Sequence, residues 1–464
     1  MASPMANGSN GQGAPDGTGD ADAAHQAFSR MKLLSPATQA VHADDHLSQT
    51  ADVAPPLHVS TTFRYADDPA ELEVLRPSAG TDGFGDKHIY SRWTAPNTTR
   101  LEAVLSSVLG ARTLTYSSGL AAYHAALVYL NPKRVAIGDG YHGCHGVLKI
   151  HQRLTGSKQL PLDCPAEELS AGDLIHLETP LNPTGVAFSI AEYAEKAHSR
   201  GAYLLVDATF GPPGLQDPFA WGADIVMHSG TKYLGGHSDM LCGVLATKRE
   251  DWYWGMWEDR GHLGSVMGSF EGWLGVRSLR TLELRVQRQS QNAEALVSWL
   301  QALLHPERLG PSHRQRIGAR EGTAWAGSEP YSEKNGCAVR KVVQEVTHAS
   351  LQADEQEQQL QHQGGGTGKK TGWIQKQMPN GYGPVFAIVL KNETVARTLP
   401  SRLALFHHAT SLGGVESLIE WRKMSDPNTD PRLLRLSIGI ERYEDLRDDL
   451  IRAFKSLEND EIKV

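Results

Sequence analysis

Short, fully apolar segments alternate with helical segments through the middle of the chain, and this alternation constrains the fold more than any other feature. Apolar residues at helical spacing predict one helix from about Pro96 to Leu109, and a second that opens at Ser118-Gly119 and runs through Tyr129. We expect strands at the apolar runs 134–139, 173–178, 203–207, 224–227 and 243–246, with a helix at 190–199. Fully apolar strands separated by helices are typical of a mostly parallel sheet covered on both faces. The sequence therefore predicts an α/β fold.

A chain of 464 residues exceeds what one hydrophobic core usually serves, so two structural units with appendages are expected. A long helix from Leu282 to Leu304 leads from the first unit into the second, and a final helix is predicted at Tyr443–Leu457. A polar stretch at about 314–381 is predicted to be a disordered insertion in the second unit. The predicted parts are a disordered tail (1–30), an N-terminal arm (31–95), a large domain that contains the sheet (96–283) and a C-terminal domain (284–464).

Composition and charge exclude several classes of function. The formal net charge of -8 disfavours a chain that wraps nucleic acid, and no apolar run approaches the ~18 residues that cross a bilayer. Four scattered cysteines without Cys-x-x-Cys spacing fit neither a disulfide framework nor a structural zinc site, so a reducing compartment is expected. The N-terminal segment carries acidic residues and no lysine or arginine before Arg30, unlike a secretory or mitochondrial signal, which favours a cytoplasmic location.

The strongest chemical signal lies between Ala202 and Asp239. Two strand-like runs in this stretch end in polar residues, the first in Asp207 and the second in Ser229-Gly230-Thr231-Lys232. Because ligands bind at the carboxyl ends of parallel strands, a carboxylate and an amine are expected in one crevice. A lysine there can form an imine with an aldehyde cofactor, and a buried carboxylate can keep the ring nitrogen of pyridoxal phosphate protonated. The alternative interpretation is a structural ion pair or two surface residues.

A phosphate group would need an anchor. The predicted helix start at Ser118-Gly119-Leu120 offers backbone amides and the positive end of a helix dipole, and Gly119 permits a close approach. The Ser229 and Thr231 hydroxyls could donate from the lysine turn. An ordinary helix N-cap is the alternative interpretation of Ser118.

These segments resemble the Cys/Met-metabolism family of pyridoxal-phosphate enzymes, the transsulfuration group of cystathionine synthases and lyases. The resemblance extends from about Val53 to Leu446 and leaves out the tail and the insertion. Besides the Lys232 stretch, the similar motifs are Tyr90-Ser91-Arg92, Ser118-Gly119-Leu120-Ala121-Ala122, Tyr141 after Asp139, Glu178-Thr179-Pro180-Leu181-Asn182-Pro183, Ser411-Leu412-Gly413-Gly414, and Arg435 within RLSIGIE. The resemblance implies an aspartate-aminotransferase-like fold (fold type I), with a cofactor-binding large domain and a smaller α+β C-terminal domain.

The resemblance also implies a set of cofactor contacts. Lys232 is implied to hold pyridoxal 5'-phosphate as a Schiff base and to move the Cα proton, Asp207 to face the ring nitrogen, and Tyr141 to stack on the ring and take part in catalysis. Tyr90 and Arg92 are implied to reach the phosphate of a neighbouring subunit, so the N-terminal arm would contact a partner in a homodimer or homotetramer with shared active sites. The residues implied to contact the phosphate or the ring oxygen are Ser118, Gly119, Leu120, Ser229, Thr231 and Asn182.

A further set of residues is implied to bind an amino-acid substrate. Arg435 resembles the arginine that grips the substrate carboxylate, which a planar guanidinium can do through two parallel hydrogen bonds. Asn182 and Ser411 are implied to complete this grip. His142, Cys144 and His145 beside Tyr141 have the chemistry of metal ligands, but the resemblance implies no metal there.

The segment SLGGVESL is more similar to the γ-acting members, so the expected activity is elimination or replacement at the γ carbon of a sulfur amino acid or a homoserine ester. Thr410 stands where γ-acting members often carry Glu, and YHGCH departs from the common Tyr-Gly-Gly-Thr. A cystathionine β-lyase, a methionine γ-lyase-like enzyme and a homoserine-ester sulfhydrylase therefore stay open. A catalytically silent interaction protein, docking through the Gln-rich insertion, is disfavoured by intact Lys232, Asp207, Tyr141 and Arg435. A Rossmann dehydrogenase is disfavoured because no Gly-x-Gly-x-x-Gly follows the first strand.

Overall fold

The computed structural model describes residues 34–48, 50–72, 88–306, 332–362 and 372–459. The tail expected at residues 1–30 lies outside these ranges. The strands are β1 (Arg112–Tyr116), β2 (Arg134–Ile137), β3 (Lys158–Pro161), β4 (Leu174–Glu178), β5 (Tyr203–Asp207), β6 (Ile225–Ser229), β7 (Gly243–Thr247), β8 (Val343–Thr347), β9 (Val385–Leu390), β10 (His407–His408), β11 (Leu418–Trp421) and β12 (Leu433–Ser437). The α-helices are α1 (Pro36–His42), α2 (Pro96–Leu109), α3 (Gly119–Leu130), α4 (His142–Thr155), α5 (Ile190–His198), α6 (Glu250–Leu263), α7 (Ser269–Leu279), α8 (Leu282–Leu304), α9 (Glu333–Val342), α10 (Ala349–His362), α11 (Trp373–Gln377), α12 (Glu393–Thr398) and α13 (Tyr443–Asn459).

The first sheet has seven strands in the order β1-β7-β6-β5-β4-β2-β3. Strands β6, β5, β4, β2 and β3 are parallel, whereas β7 pairs antiparallel with both β6 and β1. Leu205 packs into one apolar cluster while its neighbours Leu204 and Val206 pack into another, and all three are fully buried. Burial on both faces explains why the central strands are continuous apolar runs. The α/β fold with a mostly parallel sheet, predicted from the sequence, is confirmed.

Three parallel strands of this sheet end in polar residues at the same edge. Glu178 ends β4, Asp207 ends β5 and Ser229 ends β6. Glu178 and Asp207 are directly opposite each other in the β4–β5 register. The register therefore delivers two carboxyl groups and the start of the lysine turn to one place.

The second sheet has five strands in the order β10-β11-β12-β9-β8 and is antiparallel apart from the short β10–β11 pair. Helix α8 has the bounds that the sequence predicted, and α13 contains the predicted final helix. Leu446, Leu450 and Phe454 of α13 are buried in one cluster with Trp299 of α8. Because each fully buried apolar side chain contributes roughly 1.5–3 kcal/mol, this cluster holds α8 and α13 against the second sheet.

The region 314–381 differs from the disordered insertion that we predicted. Its described parts include α9, β8, α10 and α11, and β8 pairs with β9 at the edge of the second sheet. Ala338 and Val342 of α9 are buried in the same cluster as Trp299. The prediction was wrong for these residues because the polar run Gln356-Glu357-Gln358-Gln359 dominates the local composition, whereas the apolar residues of α9 and β8 form only short runs. The glycine run 364–366 lies outside the described residues.

The N-terminal arm begins with an ionic anchor and continues with exposed apolar side chains. Asp44 is fully buried and pairs with Arg100 at 3.1 Å and with Arg280 at 2.7 Å, which fixes α1 and the following turn on the large domain. Farther along the arm, Val53 and Val59 are exposed. The arm therefore leaves two large apolar side chains in contact with solvent.

Two general features of the described residues bear on the expectations from composition. No helix in the described ranges combines the length and apolarity that crossing a membrane requires. The four cysteines are free thiols, of which Cys144, Cys164 and Cys242 are buried and Cys337 is partly exposed.

Candidate active site

Lys232 lies in a tight turn directly after β6. Its backbone amide donates to the Ser229 carbonyl (3.1 Å), and its Nζ donates to the Ser411 hydroxyl (2.7 Å) from the loop between β10 and β11. Burial, together with the nearby Arg435 guanidinium, lowers the pKa of the Lys232 amine to about 8. A neutral amine able to attack a carbonyl carbon is therefore accessible near neutral pH.

Asp207 is buried at the end of β5. Its Oδ1 accepts hydrogen bonds from the Thr209 amide (3.0 Å) and the Thr209 hydroxyl (2.5 Å). Burial raises the pKa of the Asp207 carboxyl, and the two hydrogen bonds from Thr209 oppose that change. In such a low-dielectric position, a protonated ring nitrogen would be a strongly favoured partner.

Glu178 holds two neighbouring segments of the site. Its Oε2 accepts from the Tyr141 amide (2.8 Å), and its Oε1 accepts from the Asn182 amide (2.7 Å). Burial and the adjacent Asp207 raise the pKa of the Glu178 carboxyl to about 8. The residue thus fixes the start of α4 and the Asn182 turn relative to the edge of the sheet.

The start of α3 lies against the lysine turn. The Ser118 hydroxyl accepts from the Ala121 amide (3.2 Å), so the N-cap interpretation of Ser118 is correct. A Cβ atom on Gly119 would lie 3.1 Å from the Cβ of Ser229, tighter than an ordinary contact, so glycine permits this approach. The Thr231 hydroxyl is engaged within the turn, where it donates to the Cys242 carbonyl (3.3 Å). The N-terminus of α3, with Ser229 beside it, can therefore bind an anion.

Arg435 reaches the same place from β12 of the second sheet. Its Nη1 donates to Asn182 Oδ1 (3.1 Å), and its Nη2 donates to the Ser411 carbonyl (2.6 Å) and pairs with Glu420 Oε2 (2.5 Å). A Cβ atom on Gly413 would lie 2.9 Å from the Lys232 carbonyl carbon, so the Ser411–Gly414 loop packs directly on the lysine turn. The structure thus brings together residues that the sequence analysis took from separate motifs.

Tyr141 caps the start of α4, and its side chain is partly exposed. Partial burial raises the pKa of the phenol, and the Arg422 and Arg435 guanidinium groups oppose this. A Cβ atom on Gly143 would lie 2.5 Å from Tyr141 Cε1, so the ring rests on the first turn of α4. Gly143 therefore allows the Tyr141 ring to occupy this position, and the positive charges of Arg422 and Arg435 act on the phenol.

Tyr90 and Arg92 contact each other and α6 of their own chain. Tyr90 is 42% exposed, and the Arg92 guanidinium carbon lies 5.3 Å from the centroid of the Tyr90 ring. Arg92 Nη1 donates to the Gly261 carbonyl (2.8 Å). Their implied contact with a neighbouring subunit stays a prediction.

The three residues with metal-ligand chemistry beside Tyr141 are not equivalent. His142 is exposed, whereas Cys144 is buried beside His176 and Asp207, whose ligand atoms all lie within 4.8 Å of one another. Burial raises the pKa of the Cys144 thiol, and it lowers the pKa of His176 to about 3. The Cys144 thiol and the His176 imidazole are therefore both uncharged beside Asp207.

Sequence reasoning did not assign roles to Thr209, Glu178, Glu420 or Arg422. Thr209 follows a strand-terminal aspartate by two residues, a spacing that could have indicated a local hydrogen bond. Glu420 meets Arg435 because the two are opposite each other in the β11–β12 register, which no local sequence signal reveals.

This arrangement fits pyridoxal phosphate, which carries an aldehyde, a pyridine nitrogen and a phosphate. Lys232 can provide the amine, Asp207 the carboxylate, and the start of α3 the anion site, all at one edge of the parallel sheet. Fold and site together define a lysine-dependent pyridoxal-phosphate enzyme with the aspartate-aminotransferase-like fold.

Comparison with known proteins identifies the family within this class. Residues 37–308 and 346–455 match the family described as Cys/Met metabolism PLP-dependent enzyme. The chain is 30% identical to a cystathionine gamma-lyase of Saccharomyces cerevisiae, with coverage of 91% of this chain and 98% of the relative. It is 31% identical to a cystathionine gamma-synthase of Mycobacterium tuberculosis, with coverage of 91% and 97%. The crystal structure of a methionine gamma lyase from Micromonospora echinospora superposes with a TM-score of 0.70 at 30% identity, covering 91% of this chain and 99% of that one.

The chain belongs to the Cys/Met metabolism family of pyridoxal-phosphate-dependent enzymes. Its cofactor is pyridoxal 5'-phosphate, as the sequence analysis predicted. The predicted family, fold type and enzyme class are thereby confirmed.

Proposed function

We propose that this enzyme eliminates or replaces the substituent at the γ carbon of a sulfur amino acid or a homoserine ester. The single observation that carries the amino-acid part of this proposal is the contact of Lys232 Nζ with the Ser411 hydroxyl (2.7 Å), because the carbonyl of the same serine accepts a hydrogen bond from Arg435 (2.6 Å). A carboxylate receptor and a proton-transfer amine are thus joined through one residue. An α-amino acid bound by its carboxylate to Arg435 would have its Cα next to Lys232.

We assign the cofactor to residues of the large domain. Asp207 would bind the ring nitrogen, Tyr141 would stack on the ring, and Asn182 would contact the ring oxygen. The phosphate would be bound by Ser118, Gly119, Leu120 and Ser229, with Thr231 shaping the turn that presents them. When bound, pyridoxal phosphate supplies an electron sink for the pair released at Cα.

The protein groups would then perform three tasks. Arg435 and Asn182 orient the substrate carboxylate, which selects the Cα bond to be broken. Lys232 Nζ accepts the Cα proton, and the Ser411 hydroxyl keeps that nitrogen in place. Asp207 maintains a positive charge on the ring nitrogen.

The γ chemistry is supported by the SLGGVESL segment and by the names of the related proteins. The second candidate, a cystathionine β-lyase or another carbon-sulfur lyase, is favoured by Thr410, since no carboxylate at that position is available for the distal amino group of cystathionine. Incubation with cystathionine separates the two. A γ-acting lyase releases cysteine, ammonia and 2-oxobutanoate, whereas a β-acting lyase releases homocysteine, ammonia and pyruvate.

The complete test uses cystathionine, homocysteine, methionine and O-acyl homoserines, each with and without an added thiol. We expect 2-oxobutanoate from at least one substrate, or a new thioether from a homoserine ester and a thiol. Pyruvate as the sole keto acid would show that the enzyme acts at the β carbon, which would contradict the γ chemistry proposed here. Absence of any product from a protein that binds the cofactor would favour the catalytically silent homologue.

We also propose a homodimer or homotetramer in which Tyr90 and Arg92 complete the cofactor site of a partner. The exposed Val53 and Val59 of the arm support an interface there, since a partner subunit would remove their apolar surface from water. A cytoplasmic location is proposed on the four free thiols, three of them buried, which suit a reducing compartment. Sedimentation of the purified protein tests the first proposal, and imaging of the tagged protein tests the second.

A further inference from the structure

A second buried arginine lies next to Arg435. Arg422 follows β11 directly, and its Nη1 donates to Glu420 Oε2 at 2.9 Å. The same Glu420 oxygen pairs with Arg435 Nη2 at 2.5 Å. All three side chains are only 4% exposed. One carboxylate is therefore shared by two guanidinium groups inside the site.

The charges of this triad do not cancel. Arg422 and Arg435 carry two positive charges and Glu420 carries one negative charge, and the pKa of Glu420 is held below its usual range by Arg435 and Arg422 despite burial. Among these three side chains one positive charge is unmatched in a buried place, while Asp426, which also interacts with Arg422, is partly exposed and therefore screened by water. A single substrate carboxylate would neutralise the unmatched charge, which is favourable because buried charges are stable only when paired.

Without Arg422, Glu420 would neutralise Arg435 by itself. A substrate carboxylate would then have to enter a site of zero net charge next to an existing carboxylate. The buried Arg422 Nε and Glu420 Oε1 atoms both have no hydrogen-bond partner in the described part of the chain, so this guanidinium and this carboxylate are each only partly engaged. These observations give Arg422 a role that depends on charge rather than on contact with the substrate.

We propose that Arg422 is a positioning residue that shares the Glu420 carboxylate with Arg435, so that Glu420 does not neutralise Arg435 alone, and that this sharing determines the affinity of the site for the substrate carboxylate. The inference rests on the proposed role of Arg435 as the carboxylate receptor. It adds to that role the statement that Glu420 and Arg422 together set the net charge around Arg435. Arg422 does not touch the substrate in this scheme.

The test measures the binding of L-alanine and of L-alaninamide to the cofactor-loaded enzyme by the change in the visible spectrum. L-alanine has the carboxylate but no γ substituent, so its binding does not depend on γ chemistry. For Arg422→Met we expect the dissociation constant of L-alanine to rise about 10-fold to 100-fold, the loss typical of one charge-assisted interaction. The constant for L-alaninamide should change by less than about 3-fold, since the amide has no charge to pair.

The double variant Glu420→Gln with Arg422→Met restores one net positive charge and should recover most of the L-alanine affinity. A substrate found in the panel above should show the loss in KM, with kcat within about 3-fold of the wild type. Arg432→Met is the matched control, because Arg432 forms a half-exposed pair with Asp430 in the same hairpin. That control should leave both ligands unaffected.

Two results would overturn the inference. Unchanged L-alanine affinity in Arg422→Met would show that Glu420 does not compete for Arg435, and an equal loss for both ligands would indicate a structural role only. Failure of the underlying assignment has a different signature: Arg435→Met would then leave the preference for L-alanine over L-alaninamide unchanged. Absence of turnover on every panel substrate would count against the γ chemistry and leave these binding results valid.

Discussion

The two halves of the active site stabilise buried charge in different ways. In the half formed by the first sheet, Asp207 and Glu178 accept hydrogen bonds from neutral donors, and burial moves their pKa values and that of Lys232 toward the uncharged forms. In the half formed by the second sheet, Arg435 and Glu420 form a direct ion pair, and the pKa of Glu420 is lowered despite its burial. The first half is arranged to receive charged groups from a ligand, whereas the second half supplies most of its own counter-charges.

This difference predicts that variants in the first half should affect the cofactor, whereas variants in the second half should affect the substrate. The cofactor readout is the visible band of the lysine-bound cofactor, and the substrate readout is the dissociation constant of an amino acid. Substitutions in each half of the site test that separation.

The largest effect is expected for Lys232→Ala. Both the covalent link to the cofactor and the proton carrier are lost, so turnover should fall by about 10³-fold or more and the visible band should disappear. Lys248→Ala, which changes an exposed lysine one strand away, is the control and should retain both. Borohydride reduction followed by peptide mapping should label Lys232, and a label on another lysine would refute the assignment.

Asp207→Ala should keep the fold but slow Cα deprotonation by about 10²-fold to 10³-fold, the range seen when one preorganised electrostatic group is removed. An unprotonated ring is a poorer electron sink, and Asp207→Asn should behave similarly because it keeps the shape and loses the charge. Exchange of the Cα hydrogen of L-alanine with deuterium measures this step directly. Normal exchange in both variants would mean that another group governs the ring nitrogen.

How far the sequence alone predicts the site also differs between the halves. Lys232 and Asp207 lie in one stretch and end neighbouring parallel strands, so physical reasoning could place them in one crevice. Arg435 and Asn182 are 253 residues apart, and only the family resemblance connected them. Glu420 was not predicted, because its contact with Arg435 depends on a strand register that composition and spacing do not encode. The prediction of disorder at 314–381 failed for the same reason, because β8 forms by pairing with β9 and local composition does not reveal that pairing.

A smaller effect, about 10-fold to 100-fold, is expected for Arg92→Ala if it removes one charge-assisted contact to the cofactor phosphate. The donors assigned to the phosphate within the large domain are uncharged, so the first half would be completed by a cation from a partner. Mixing Arg92→Ala with Lys232→Ala subunits should restore activity, because some heterodimeric sites combine an intact arm with an intact lysine. If subunits exchange freely, about a quarter of the sites should recover.

The matched control for this experiment mixes Asp207→Ala with Lys232→Ala. Both residues belong to the same chain's half of the site, so no heterodimeric site contains both intact groups and no rescue is expected. Lack of rescue with Arg92→Ala, despite demonstrated subunit exchange, would place Arg92 within its own chain's site or outside the site.

The smallest effect should appear where the two halves touch. Burial is the main reason that the pKa of the Lys232 amine falls to about 8, and Arg435 lowers it further while Glu420 raises it. Only the neutral amine attacks the cofactor aldehyde, so the rate at which apoprotein recovers the visible band should rise with pH and level off above about pH 8. Replacing Arg435 with methionine removes a repelling positive charge, stabilises the protonated amine, and should move the midpoint to higher pH. Replacing Glu420 with glutamine removes an attracting negative charge and should move the midpoint to lower pH.

Because Arg435 and Glu420 have opposite effects on the pKa of Lys232, each shift should be less than about one unit, and the variant that lacks both charges should lie near the wild type. Equal midpoints in all four proteins would show that the two halves are electrostatically independent, whereas shifts of several units would mean that the ion pair, rather than burial, sets the reactivity of the lysine.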